Sequence, residues 1–211
     1  MAFGSPQWMY ASGEDYEIPY SCRFDGTASY FSRTPASASN RKTWTFSLWY
    51  KRGKPSNQEY LLGAVTDIGG DPAVLSINES LFWHTGGSNY RFYTSAVYRD
   101  PSAWMHIVFS FDTSTAGGRA VADMMRIYVN GVLVTDKGST TNPIVDYDGN
   151  INNDELHTIG RNAAAANSYC TGTIAEVHFI DGTALTPTSF GETGDYGEWK
   201  PIEVTGLTYG T

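Results

Sequence analysis

Hydrophobic and polar positions along this chain alternate mostly with period two, and no run of useful length carries the 3.6-residue period of a helix. Residues 104–112 are the clearest case. Met105, Ile107, Phe109 and Phe111 fall on one face, and Trp104, His106, Val108 and Ser110 on the other. Downstream, Asn130-Gly131 sits between two β-branched runs within 126–135 and predicts a tight type I′ hairpin, whose two central residues both need positive φ. Residues 42–51 make the best single core strand, with Trp44, Phe46, Leu48 and Tyr50 inward and Thr45, Ser47, Trp49 and Lys51 outward.

Further strand signals stand at 20–24 and 29–33, either side of a turn at Asp25-Gly26, and at 59–65, 73–77, 81–84, 90–94, 156–160 and 172–180. The runs 81–84 and 90–94 read as a pair around Gly86-Gly87, and Asp181-Gly182 closes the last strand. Residues 35–40 and 137–155 read as polar loops, and 163–167 as an alanine-rich segment able to form one helical turn. About a dozen short strands without intervening helices predict an all-β fold, two antiparallel sheets packed face to face as a jelly-roll β-sandwich. The sandwich is expected over 20–182. An N-terminal arm (1–19) precedes it, and an irregular extension (183–211), anchored by Tyr196, Trp199 and Tyr209, packs on it.

Composition narrows the function. At 211 residues, roughly 70% of the unfolded surface can be buried, so the fold does not require disulfides. The 10 Phe, 14 Tyr and 6 Trp, with 22 Gly and 9 Pro, suit short strands joined by many turns. A net charge of −8 argues against a nucleic-acid groove. Cys22 and Cys170 have neither metal spacing nor a CxxC arrangement, and spacing alone leaves open whether they pair. There is no apolar run of about 20 residues to span a bilayer, and the Met1-Ala-Phe-Gly start lacks a basic n-region and an h-region. The expectation is a soluble product with no membrane insertion that does not follow a signal-peptide route.

The order of motifs resembles the laminin G-like, concanavalin A-like lectin/glucanase jelly roll. Phe24-Asp25-Gly26, Trp44-Thr-Phe-Ser-Leu-Trp49, Trp104-Met-His-Ile-Val108, Ile127-Tyr-Val-Asn-Gly131, Thr158-Ile-Gly160 and Gly172-Thr-Ile-Ala-Glu-Val177 carry it across most of the chain. A closer likeness rests on Ser21-Cys-Arg-Phe24, Arg99-Asp-Pro-Ser-Ala-Trp-Met-His-Ile-Val108, His157-Thr-Ile-Gly-Arg161, Ala175-Glu-Val-His-Phe-Ile-Asp-Gly182, Phe190-Gly-Glu192 and Gly197-Glu-Trp-Lys-Pro201. These are similar to jelly-roll domains of bacteriophage tail-fibre and virion proteins, especially marine ones. That resemblance implies a non-enzymatic structural module of a virion appendage, partnered by other virion proteins, mediating host attachment through a surface glycan, with a homotrimer as in many phage fibres. A carbohydrate-binding lectin and, behind it, a glycoside hydrolase are the alternatives.

Each alternative names residues. Retaining glucanases of this fold carry E-x-D-x-x-E on one strand. The nearest text, Glu176-Val-His-Phe-Ile-Asp181, has His178 in the middle and a turn aspartate at the end, so no catalytic residue is assigned. Some laminin G-like domains bind calcium at loop tips, which makes Asp146, Asp148, Asn150 and Asp154 the candidate calcium ligands, although the segment fails the EF-hand pattern at Ile151 and His157. For a sugar ligand the candidate aromatic platforms are Trp49, Trp83, Tyr93 and Tyr98. His84, His106, His157 and His178 lie in strand patterns without metal spacing and read as structural.

Overall fold

In a computed structural model, which describes residues 16–54, 58–65, 73–85 and 90–210, fifteen strands are formed among the described residues. In chain order they are β1 (Cys22–Asp25), β2 (Phe31–Arg33), β3 (Thr43–Arg52), β4 (Glu59–Ala64), β5 (Ala73–Ile77), β6 (Leu81–Thr85), β7 (Tyr90–Thr94), β8 (Met105–Asp112), β9 (Met125–Val129), β10 (Val132–Leu133), β11 (Lys137–Thr141), β12 (His157–Ile159), β13 (Thr171–Asp181), β14 (Gly191–Thr193) and β15 (Trp199–Pro201). One sheet has six strands in the order β1-β13-β3-β8-β9-β10, and the other has seven in the order β11-β7-β6-β5-β4-β12-β2. All the described pairings within them are antiparallel. Asn130 (φ 49°) and Gly131 (φ 80°) form the expected turn between β9 and β10.

The inward residues of β3 and β8 meet Leu61, Leu75, Leu81, Trp83 and Phe92 of the opposite sheet in one core. The outer face of the six-stranded sheet is also buried. Val108, Tyr128, Ile180 and Phe190 form a second cluster there, with Leu185, Val204 and Leu207 of the C-terminal segment laid over it. A bulge on β13 makes this double use possible. Ala175 faces Trp49 and His178 faces Ser47, so β13 carries one extra residue, and Glu176 adopts φ 45°. The insertion flips the alternation, so that Ile174 and Phe179 point into the main core while Ile180 points out to the second.

A buried polar knot ties three strand ends together. Glu59 pairs with Arg52 at 3.2 Å, both fully buried, and accepts from the Tyr50 hydroxyl (2.7 Å), the Thr171 backbone N–H (2.9 Å) and the Thr171 hydroxyl. Arg52 Nη1 also donates to the Tyr98 carbonyl at 2.9 Å. Cys22 is exposed and Cys170 buried, and both are free thiols. Burial pushes the Cys170 thiol well up, and its Sγ sits 3.1 Å from the Tyr60 carbonyl.

Several expectations need correction. Residues 137–141 are a strand, not loop; β11 is polar because it is an edge strand largely open to solvent. The C-terminal segment contains the β14–β15 hairpin, and residues 163–166 form bends, not a helical turn. Tyr196 is no anchor, since it projects from that hairpin 96% exposed. The turn at Asp25-Gly26 sends the chain from one sheet to the other, so β1 and β2 do not pair. Asp25 Oδ1 accepts from the N–H groups of Thr27, Ala28 and Ser29, which holds its carboxyl far below the usual range. Of the expected N-terminal arm, 1–15 lie outside the described residues, as does Gly86-Gly87.

Candidate functional site

Four strands of the seven-stranded sheet bring one outward row into register, with Tyr60 on β4, Ser76 on β5, Phe82 on β6 and Tyr93 on β7. Directly opposed side chains on one face of an antiparallel pair touch. The Phe82 and Tyr93 rings accordingly stack at 5.4 Å and 17°. Ser76 is too short to reach across the row and turns its hydroxyl to the Glu59 carbonyl (2.8 Å). In the adjacent row His84 sets Nε2 2.6 Å from the Tyr93 hydroxyl, and Gln58 Nε2 donates to the Tyr60 hydroxyl at 3.2 Å. Asn78, Glu79 and Ser80, from the β5–β6 turn, close one end of an open groove of about 680 Å³. A hydrogen bond from Arg99 holds the Glu79 carboxyl below its usual range.

The residues singled out from the alternation are scattered by the structure. Tyr93 stands in this groove. Trp83, one residue from Phe82, points the other way and is 0% exposed against Trp44 (5.2 Å), Phe111 (5.4 Å) and Phe109 (5.9 Å), so it is a core residue and not a platform. Trp49 does face outward, on the other sheet, yet is only 6% exposed. It stacks on His106 (4.9 Å), which stacks in turn on Trp199 (5.9 Å) beneath the C-terminal segment. Tyr98 packs partly against the core, and its backbone bonds Glu79 and Arg52; it braces the loop and does not line the groove. The alternation alone does not single out Tyr60, Phe82 or Gln58, and His84, read as structural, lies in the groove; with Trp83 inward, parity places Phe82 and His84 outward.

The candidate calcium ligands are not gathered either. Asp146, at φ 59°, accepts from the Thr115 hydroxyl (2.7 Å) and N–H (3.3 Å) and pairs with Lys42 (3.6 Å), and those Thr115 bonds lower its carboxyl pKa. Asp148 and Asp154 are exposed and Asn150 half-buried. Among the described residues no three His, Cys, Asp or Glu side chains stand close enough to hold a metal ion. The Glu176–Asp181 stretch does not offer two carboxylates to one cleft. Glu176 meets His178 (3.0 Å) and Tyr16 (2.8 Å) on the outer face, and His178 continues to the Tyr209 hydroxyl (2.7 Å). Asp181, opposite inward-facing Trp44, is held by Ser39, Asn40 and Asn152.

A family model for the concanavalin A-like lectin/glucanases superfamily matches residues 25–189. The chain belongs to that superfamily. Among solved structures, a heptameric SAP-like pentraxin from Limulus polyphemus superposes with a TM-score of 0.52 at 15% identity, covering 79% of this chain and 77% of that one. The LG4-5 domains of the mouse laminin α1 chain give 0.52 at 11% identity, over 94% of this chain and 49% of that one. The CBM40 of a Ruminococcus gnavus IT-sialidase gives 0.48 at 12%, over 75% and 95%. No curated protein matches the chain. At these identities the first two superpositions establish the jelly roll and nothing finer.

Proposed function

We propose that the chain is a non-enzymatic carbohydrate-binding module whose ligand lies in the groove over β4–β7. The observation that carries this reading is the pair of half-buried rings Tyr60 and Tyr93, in a row with Phe82, which is only 7% exposed and forms the floor, and with Gln58, His84 and Asn78 beside them. Aromatic rings accept the apolar C–H face of a sugar, while amide, hydroxyl and imidazole groups at the edges bond its hydroxyls. Family membership supports the reading without specifying a glycan. The setting implied by the sequence motifs, a bacteriophage appendage attached to other virion proteins and to its host, agrees with a shallow, open site. Several copies on one particle would multiply a weak single-site affinity.

The test is binding of the purified chain, displayed multivalently, to a panel of bacterial envelope glycans, followed by calorimetry on any hit. Saturable binding is expected, at least tenfold weaker in Tyr93→Ala and Tyr60→Ala, and repeating the measurement with a chelator shows whether a metal at the Asp146–Asp154 segment takes part. Binding that survives both substitutions, or no binding at all, removes the groove from consideration.

A further inference from the structure

A second cleft, of about 910 Å³, opens where β3, β8 and β9 meet the chain leaving β13. Two arginines converge in it on one position of the six-stranded sheet. Arg119 reaches Ser110 with both terminal nitrogens, Nη1 to the carbonyl (3.2 Å) and Nη2 to the hydroxyl (2.9 Å). Arg126 is the cross-strand partner of that same Ser110, on the outer face. Burial lowers the Arg119 pKa, and the charge of Arg126 lowers it further, as expected for two cations held side by side. Lys42 stands at the rim, paired with Asp146 at 3.6 Å.

Two carboxylates, Asp112 and Asp123, stand beside this pair and favour the charged Arg119 against the effect of burial. Asp112 accepts from the Thr43 hydroxyl (3.2 Å), the Ser114 N–H (3.0 Å) and the Ser114 hydroxyl (2.6 Å). Asp123 meets Arg126 Nη2 at 3.4 Å in a part-exposed ion pair of the kind worth little in water. Arg126 Nε is buried and has no hydrogen-bond partner among the described residues. A buried donor left unmade is costly and calls for an acceptor. Paired guanidinium forks match an oxyanion in geometry as well as charge.

The geometry points to a second binding site, in which Arg119 and Arg126 clamp the carboxylate or sulfate of an acidic saccharide while Asn40, Ser114, Thr183 and Thr186 face its hydroxyls. It is on the other sheet from the β4–β7 groove and does not depend on that groove being occupied.

The experiment is a titration of the intact ¹⁵N-labelled chain, at constant ionic strength, with glucuronate, glucose 6-sulfate, glucose and free sulfate. The Arg119 and Arg126 Nε–H signals are expected to shift saturably with at least one anionic sugar and not with glucose, and the sugar that binds identifies the acidic group. Affinity should fall at least tenfold in Arg126→Gln and in Arg119→Gln, the latter with some loss of melting temperature because it releases the buried Ser110. Should Arg126→Gln fail to fold, Arg126→Lys, which keeps the charge and loses the fork, is expected to show the same loss. The proposal is overturned if neither acidic sugar binds, if glucose binds equally, if both substitutions leave affinity intact, or if free sulfate binds as tightly as the sugars, which would mean an adventitious ion only.

Discussion

His106 shows how much one side chain can fix. The Trp199 indole N–H donates to its Nδ1 (3.0 Å), so the ring proton must reside on Nε2, which points at the Ser47 hydroxyl 2.8 Å away. Burial, with the nearby His178 charge, takes its pKa down to about 3. His157 is held neutral in a similar way, accepting the Asn152 N–H at Nε2 (2.9 Å), and burial lowers its pKa as well. For both, the unfolded chain takes up the proton first. Stability present at neutral pH is therefore lost as pH falls below about 6.5, at roughly 1.4 kcal/mol per pH unit for each ring, levelling off once the folded form is protonated too. Urea unfolding at pH 7.5 and 5.5 should show a drop of about 1–2 kcal/mol, and ¹³C spectra should keep His106 neutral down to pH 4. Equal stability at the two pH values would contradict the assignment.

Strands and turns carry the next level, and the β9–β10 hairpin depends on more than its own turn. Gly131 takes φ 80°, and a Cβ there would strike the Trp199 ring. Gly131→Ala should therefore cost about 2 kcal/mol or more, through αL strain and displacement of β15, whereas Val132→Ala, at a 70% exposed site, should stay within about 0.5 kcal/mol. Urea midpoints followed by tryptophan fluorescence separate the two. The hairpin was legible because Asn-Gly states its own geometry, and β3 and β8 because both alternate without interruption. β11 was not, because Lys-Gly-Ser-Thr-Thr has no apolar face to betray an edge strand. The candidate platform was half legible. Tyr93 was singled out, but Trp83 and Trp49 were misjudged, since alternation gives parity and not cover. Nothing in residues 42–51 announces that a segment 150 residues later lies over Trp49's side of the sheet. The Arg119–Arg126 convergence was invisible for the same reason, being created by cross-strand register.

At the scale of the whole molecule the C-terminal segment converts a two-layer sandwich into one with a partial third layer. Leu185, Phe190, Val204 and Leu207 shield Val108, Tyr128 and Ile180, and Trp199 caps His106. Deleting residues 185–210 should expose a contiguous apolar patch and yield a chain that binds a hydrophobic dye and self-associates on size exclusion. A monomeric, cooperatively folding product would show the layer to be dispensable. The cover also divides labour between the faces, with one sheet sealed over most of its outside and the other presenting the β4–β7 groove.

The pairing of β1 with β13 places Cys22 opposite Ile174, and that of β2 with β12 places Phe31 opposite Ile159. During synthesis, then, β1 and β2 wait for more than a hundred further residues before they find their neighbours, while β3 to β9 can assemble among themselves. Such long-range closure is slow, and the edges left open meanwhile are where a nascent chain meets another copy of itself.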